Sequence, residues 1–249
     1  MTKQMRKLKC LSALDLKLLA MTLMLCDHLW ATIVPGAMWL TNLGRMAFPI
    51  FAFQIAEGWT HTSDRKKYRR RMLLWALATE IPFNLMYGGG IIYPFHQNVL
   101  FTFWLALLCL AFVEWAGKRG RAAYWLAAAL ACVLGYYLGL LTMVDYFGYG
   151  VVTVLLFYLV RDLPLRPLWQ LTGLAFINLG LMKGMTFPVT LLGHTVDFPQ
   201  QALALLALIP VWLYNGEQGP HNKTIRRACY AFYPVHMLIL AVLWLYVLN

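Results

Sequence analysis

Eight ionisable side chains lie inside stretches that are otherwise apolar: Lys17, Asp27, His28, Arg45, Glu57, Glu80, Asp145 and His236. Charge in hydrocarbon is costly, so such residues face a protein interior or a water-filled cavity, pair with one another, or handle a substrate, ion or proton. Lys17 and His28 are eleven residues apart. On a helix that is three turns plus about 20°, which puts them on one face about 16 Å apart, with Met21 and Met24 on the stripe between them. One end of this stripe offers a cation to a phosphate. The other offers an imidazole able to exchange protons near neutrality. Asp27 is turned about 100° from His28, so it is placed to meet Arg45 on the following element instead. The plainer readings are a snorkelling lysine, a packed core histidine and a structural Asp–Arg pair.

A second polar stripe, Gln54, Glu57 and His61, follows at i, i+3 and i+7. It runs into Asp64-Arg65-Lys66-Lys67-Tyr68-Arg69-Arg70-Arg71. With His61, Arg69 and Arg70, this segment suits the phosphates of a nucleotide; its plainer role is anchoring on anionic lipid. Glu80 with Asn84, and Asn98 with Thr102, are i, i+4 pairs that share a helix face. Asp145 with Tyr146 and Tyr233 with His236 extend the polar lining. Pro82 withdraws a backbone donor and leaves a carbonyl for a bound group or water.

The elements that hold these residues are membrane helices. The 249 residues are 61% apolar and only 12% charged, against about 25% charged in a soluble domain. So few charges cannot cover a water-exposed surface, which excludes a soluble enzyme, a disordered chain and a disulfide scaffold. Stretches near the ~20 residues that cross a bilayer occur at about 11–34, 38–60, 71–87, 98–116, 122–143, 147–160, 167–182, 199–214 and 229–248. The region 183–198 is free to dip into the membrane without crossing. The expected fold is therefore all-α: one polytopic bundle over residues 1–249 with about nine transmembrane helices, between eight and ten. Of the 21 lysines and arginines, eighteen collect on alternate connecting segments and one, Lys183, on the others; Lys17 and Arg45 lie within spans. Basic loops stay cytoplasmic, which places the N-terminus inside and the C-terminus outside. The net charge of +11 is thus a topology signal and gives no reason to invoke nucleic acid. The first span is too long and too charged for a cleaved signal peptide. The five cysteines are isolated and form no zinc or redox motif, so they are expected to act as small buried hydrophobes.

Several strings together resemble the TraX family. They are Asp27-His28, Gly44-Arg45-Met46-Ala47-Phe48-Pro49-Ile50-Phe51-Ala52-Phe53, Glu57-Gly58-Trp59-Thr60-His61-Thr62 and Glu80-Ile81-Pro82-Phe83-Asn84. Asn98-Val99-Leu100-Phe101-Thr102, Asp145-Tyr146-Phe147-Gly148-Tyr149-Gly150 and Phe232-Tyr233-Pro234-Val235-His236 follow in order. The spacing of Lys17 and His28 also resembles, more distantly, the type-three membrane acyltransferases, although Glu57-Gly58 stands where those tend to have Ser-Gly. The resemblance implies a multi-pass protein of the bacterial inner membrane that acetylates the amino terminus of conjugative pilin. An envelope glycan is an equally reasonable acceptor. Acetyl-CoA is then a co-substrate, and no permanently bound cofactor or metal is implied. Its phosphates would lie among Lys17, His61, Arg69 and Arg70, and its pantetheine arm past Met24 toward His28, the base or acyl carrier. Asp27, Arg45, Glu57, Glu80 and Asn98 would serve the reacting groups, with Thr102, Asp145, Tyr146, Tyr233 and His236 lining the pocket. The alternative class is a proton-coupled small-molecule transporter, for which buried carboxylates and histidines are ordinary equipment; no inverted repeat of the transporter kind is present.

Overall fold

The computed structural model describes residues 9–182, 184–191 and 193–245. Most of the basic N-terminal stretch, Lys183 and the end of the last expected span lie outside the described residues. The chain forms two compact units, each discontinuous in sequence: Met1–Phe51 with Pro164–Lys223, and Ala52–Leu163 with Thr224–Asn249.

In the first unit, helix α1 (Ala13–Thr32) opens with a capping box in which Ser12 and Asp15 satisfy each other's backbone N–H groups. Short helix α2 (Met38–Gly44) follows, and then the first residues of α3 (Ala47–His61). One uninterrupted helix is expected over 38–60; the observed chain breaks at Arg45 and Met46. Pro49 explains the break, because its ring crowds the carbonyl four residues back and it has no N–H to donate there. The unit also contains α8 (Arg166–Ala175), which runs into a π-helical turn at Phe176–Leu181. A 3₁₀ segment (Gln200–Ala207) leads into the short α9 (Leu208–Trp212). Where a dip into the membrane is allowed, the chain instead forms a hairpin of β1 (Thr186–Leu191) and β2 (His194–Pro199), with Thr190 opposite Thr195. Val189, Thr190, Thr195 and Val196 favour this extended form, and Gly193 turns it at φ +81°. Buried amides tie the pieces together: Gln200 donates to Asn42 at 2.8 Å, and the Trp212 indole donates to Gln170 at 2.9 Å.

The second unit holds the rest of α3 with α4 (Arg65–Gly88), α5 (Val99–Gly117), α6 (Arg121–Leu141), α7 (Phe147–Leu159) and α10 (Lys223–Leu243). Asp64 caps α4 by accepting from the Lys67 N–H at 2.8 Å, and Gly89 ends that helix at φ +67°. Among the described residues, α5 and α6 are the two helices long and apolar enough to cross a bilayer. Helices α1, α4 and α10 have the length but carry more charge. The expected sixth, seventh and eighth spans are short helices or 3₁₀ and π segments; the 13 residues of α7 reach about 20 Å at 1.5 Å per residue. Among the described residues the architecture is helical apart from one hairpin. Cys10 is exposed and the other four cysteines are partly buried; all five are unpaired.

Helices α6 and α7 meet on small residues. A Cβ on Gly139 would lie 2.7 Å from the Gly148 backbone, and one on Gly148 would overlap the Tyr136 carbonyl oxygen. Backbone cannot move aside as a flexible side chain can, so Gly148→Ala should cost about 1–3 kcal/mol and lower the melting temperature of the detergent-solubilised protein. Gly36→Ala, where an added Cβ meets nothing within 4 Å, should melt like the wild type.

Candidate functional site

In the first unit Asp27 and Arg45 form the expected pair. Arg45 Nη2 donates to Asp27 Oδ1 and, at 3.1 Å, to Thr41 Oγ1, while its Nε donates to the Thr41 carbonyl at 3.2 Å. The Thr41 hydroxyl donates to the same Asp27 oxygen at 2.7 Å. The pair is largely buried, with 14% and 18% of the two side chains exposed. Gly44 permits it: a Cβ there would sit 2.7 Å from Asp27 Oδ1. The short α2 is thereby fastened to α1 at the level of His28. His28 is buried, and its carbonyl accepts the Thr32 hydroxyl at 2.6 Å. Lys17 is exposed on the same unbroken helix, and Met24 is half-buried.

The second unit gathers the other residues into two clusters. In one, Glu57 lies 3.3 Å from His61, one turn away. Nearby in sequence, Arg65 pairs with Glu114 at 2.8 Å and stacks on Trp59, and Tyr158 donates to Glu114 at 2.6 Å. Arg71 lies over the rings of Tyr68 and Tyr230. Arg70 is exposed and Arg69 half-buried, with the Arg69 Nε lacking a hydrogen-bond partner among the described residues.

The other cluster is built by two loops. Asn98 caps α5: its Oδ1 accepts from the Leu100 N–H at 3.0 Å, and its Nδ2 donates to Glu80 at 2.5 Å and to the Ala76 carbonyl at 2.9 Å. This fixes the start of α5 against α4. The loop before it pairs with the loop before α7, as Asp145 N–H donates to the Gln97 carbonyl at 2.8 Å and Gln97 N–H to the Met143 carbonyl at 3.0 Å. Thr102 donates to the Asp145 carbonyl at 2.5 Å, and the Tyr146 N–H donates to the Asp145 carboxylate at 3.0 Å. His96 Nε2 lies 3.3 Å from Asp145 Oδ1. The His96 ring is packed edge-on against Phe83 and Tyr87 and parallel to Phe147. Tyr233 is buried within electrostatic reach of Asp145 and Glu80. His236 stacks on Phe232, and its Nδ1 lies 2.7 Å from the Phe232 carbonyl.

Glu80, Asn98, Thr102, Asp145, Tyr146 and Tyr233 thus belong to one unit, and Lys17, Met24, Asp27, His28 and Arg45 to the other. Two residues of consequence escape the sequence argument. His96 falls in a connecting segment, outside any apolar span, so a search for buried charge passes over it. Its one signal is its place two residues before a capping asparagine in the aromatic run Tyr93-Pro94-Phe95-His96. Glu114 is within an expected span, but its closeness to Lys118, Arg119 and Arg121 makes it resemble an ordinary interface charge. Among the described residues no group of three or more His, Cys, Asp or Glu is placed to hold a metal ion.

The model of a protein family described as TraX protein matches residues 12–244. The chain belongs to the TraX family. It is also similar to a probable fimbrial assembly protein FimC, serogroup H1, of Dichelobacter nodosus, at 24% identity over 249 aligned positions that cover 92% of this chain and 94% of that protein. No solved structure matches.

Burial disfavours a charged His96, but the carboxylates of Asp145 and Glu80 outweigh it and hold the imidazole above its ordinary 6.5. The folded chain therefore keeps this proton more tightly than the unfolded chain. The resulting stabilisation is fully present below pH about 6.5 and is lost as pH rises through the raised value. Asp145→Asn removes the nearer carboxylate and should lower the His96 titration, followed by the imidazole resonances in ¹H–¹³C NMR. A midpoint that does not move would separate His96 from Asp145.

Proposed function

We propose that this chain is an integral membrane acetyltransferase that moves an acetyl group from cytosolic acetyl-CoA to an amine or hydroxyl acceptor at or across the bacterial inner membrane. The TraX family is associated with pilin acetylation, and the relative named above is a fimbrial assembly protein. These favour the amino terminus of a pilus or fimbrial subunit as acceptor. Two long apolar helices and the family support membrane insertion. About nine crossings, with the N-terminus inside and the C-terminus outside, follow from the charge asymmetry of the connecting segments.

The observation that carries the reading is the stripe on α1. An exposed lysine and a buried histidine lie on one face of a single unbroken helix, about 16 Å apart. That length suits a pantetheine arm with its phosphates at Lys17 and its thioester at His28. His28 acts as general base or takes the acetyl group itself. As base, it accepts the proton of the attacking amine or hydroxyl while the new bond to the acetyl carbon forms. The thioester C–S bond then breaks, and the proton passes to the departing CoA thiolate. Arg45, held by Asp27 and Thr41, fixes the α2 segment beside His28 and presents a guanidinium that can share the thioester oxyanion.

Loss of acetyl-CoA with release of free CoA, followed by chromatography on purified protein with a free-amine peptide, tests this. His28→Ala should slow turnover by about 100-fold or more while the protein still binds CoA. Lys17→Ala should weaken CoA binding with little effect on folding. Turnover at the wild-type rate by His28→Ala would remove His28 from the chemistry.

A further inference from the structure

Helices α4 and α10 of the second unit bring together cations that the chain itself does not neutralise. Arg71 on α4 lies over the ring of Tyr68, 5.4 Å from its centroid, and over that of Tyr230 on α10 at 5.6 Å. Trp75, one turn further along α4, stacks on the same Tyr230 ring at 5.4 Å. These contacts join the two helices at the level of Arg71. Arg226 and Arg227 precede Tyr230 by four and three residues, so they share its face one turn nearer the start of α10. Lys67 stands in the same relation to Arg71. Lys67, Arg226 and Arg227 are exposed, and Arg71 is half-buried. Arg65 has Glu114 and Arg161 has Asp162, but among the described residues no carboxylate pairs with Arg71, Arg226 or Arg227.

Further along both helices the exposed surface turns apolar. Leu74, Leu77 and Ile81 follow Arg71 on α4 at helical spacing, and Val235, Leu238 and Val242 follow Arg227 on α10; all are exposed. The stacked Trp75 and Tyr230 rings lie between the two zones, about 6 Å along α4 from Arg71. Aromatic rings of this kind mark the membrane–water interface. Cation, aromatic ring and apolar side chain therefore succeed one another in the order in which a leaflet presents phosphate, glycerol ester and acyl chain. A soluble phosphate would meet only the first of the three. Arg71 sets the geometry, because a planar guanidinium stacked on rings gives its hydrogen bonds in its own plane, which a lysine cannot reproduce.

We propose that Arg71, with Lys67, Arg226 and Arg227 beside it, forms a discrete site for the headgroup of an acidic phospholipid, whose acyl chains lie along the exposed apolar faces of α4 and α10. Basic pockets between membrane helices bind anionic headgroups in this way. The site differs from the diffuse attraction of a basic segment to an anionic surface, which depends on the number of charges and not on how one of them is held. Its occupant supplies the negative charge that α4 and α10 lack where they meet. The lipid thereby offsets the repulsion between their cations and holds the starts of the two helices together. Only residues of the second unit take part, and the site operates whether or not an acetyl group is transferred.

The test is native mass spectrometry of the full-length protein in an uncharged detergent, titrated with phosphatidylglycerol or with phosphatidylcholine of the same acyl chains. Wild type should retain phosphatidylglycerol in a saturable step, at a concentration about tenfold or more below that needed for phosphatidylcholine, the worth of one charge-assisted hydrogen bond. Arg71→Ala should abolish most of that preference, and Arg71→Lys should lose it nearly as fully although the charge is kept. Exposed Arg227→Ala should reduce it about fivefold, as expected for one basic side chain at an anionic surface, and serves as the informative variant if Arg71→Ala melts early. Lys118→Ala, which removes a charge from the loop between α5 and α6, should bind like the wild type. Inorganic pyrophosphate at the lipid's concentration should not displace it. Equal retention of the two lipids, an Arg71→Lys variant that binds like the wild type, or a loss in Lys118→Ala as large as in Arg227→Ala would overturn the site. Displacement by pyrophosphate would overturn it in favour of a soluble phosphate.

Discussion

Charge in a low-dielectric slab must be neutralised locally, and that requirement decides where several helices of this protein begin and meet. In the first unit Asp27 is answered by Arg45 and Thr41. In the second, Glu114 is answered by Arg65 and Tyr158, Glu80 by Asn98, and Asp145 by His96. Each pair joins residues from different segments. Removing one partner of a buried pair leaves an uncompensated charge at a cost of about 3–5 kcal/mol, so the pairs fix the geometry of the backbone around them. The break between α2 and α3 sits at Arg45, where Gly44 makes room for the Asp27 carboxylate. The start of α5 sits at Asn98, where Glu80 receives the capping side chain.

The same constraint positions the reactive side chains: in the first unit the pair of Asp27 and Arg45 adjoins the buried His28, and in the second Asp145 lies beside His96. Positive φ at three residues of the 143–147 segment is endured because Asp145 is then held by its own backbone bonds to Gln97 and by Thr102, with its carboxylate left to face His96.

Much of this was legible in the sequence. Asp27 lies a third of a turn from His28, which directed it to Arg45, and the two were found together. Charged positions in apolar stretches also pointed to Glu80 and Asp145, because expensive residues need a reason, and the i, i+4 polar pair with Thr102 pointed to Asn98. Hydropathy was a poorer guide to helix length. It does not distinguish α-helix from the π and 3₁₀ segments at 176–181 and 200–207, and it does not register that Pro49 breaks the second span. It also missed His96, since loops lie outside its scope, and the hairpin, whose alternation of threonine and valine is short and interrupted by prolines.

Transfer of a group, as against its binding or carriage, is decided by following the acetyl carbon itself. Purified protein would be incubated with acetyl-CoA bearing a trideuterated acetyl group and with a free-amine apolar peptide, and the peptide examined by mass spectrometry. A transferase leaves a deuterated acetyl group on the peptide's α-amine, formed in proportion to the free CoA released. An unlabelled peptide beside intact acetyl-CoA, from folded protein that binds both, would contradict it.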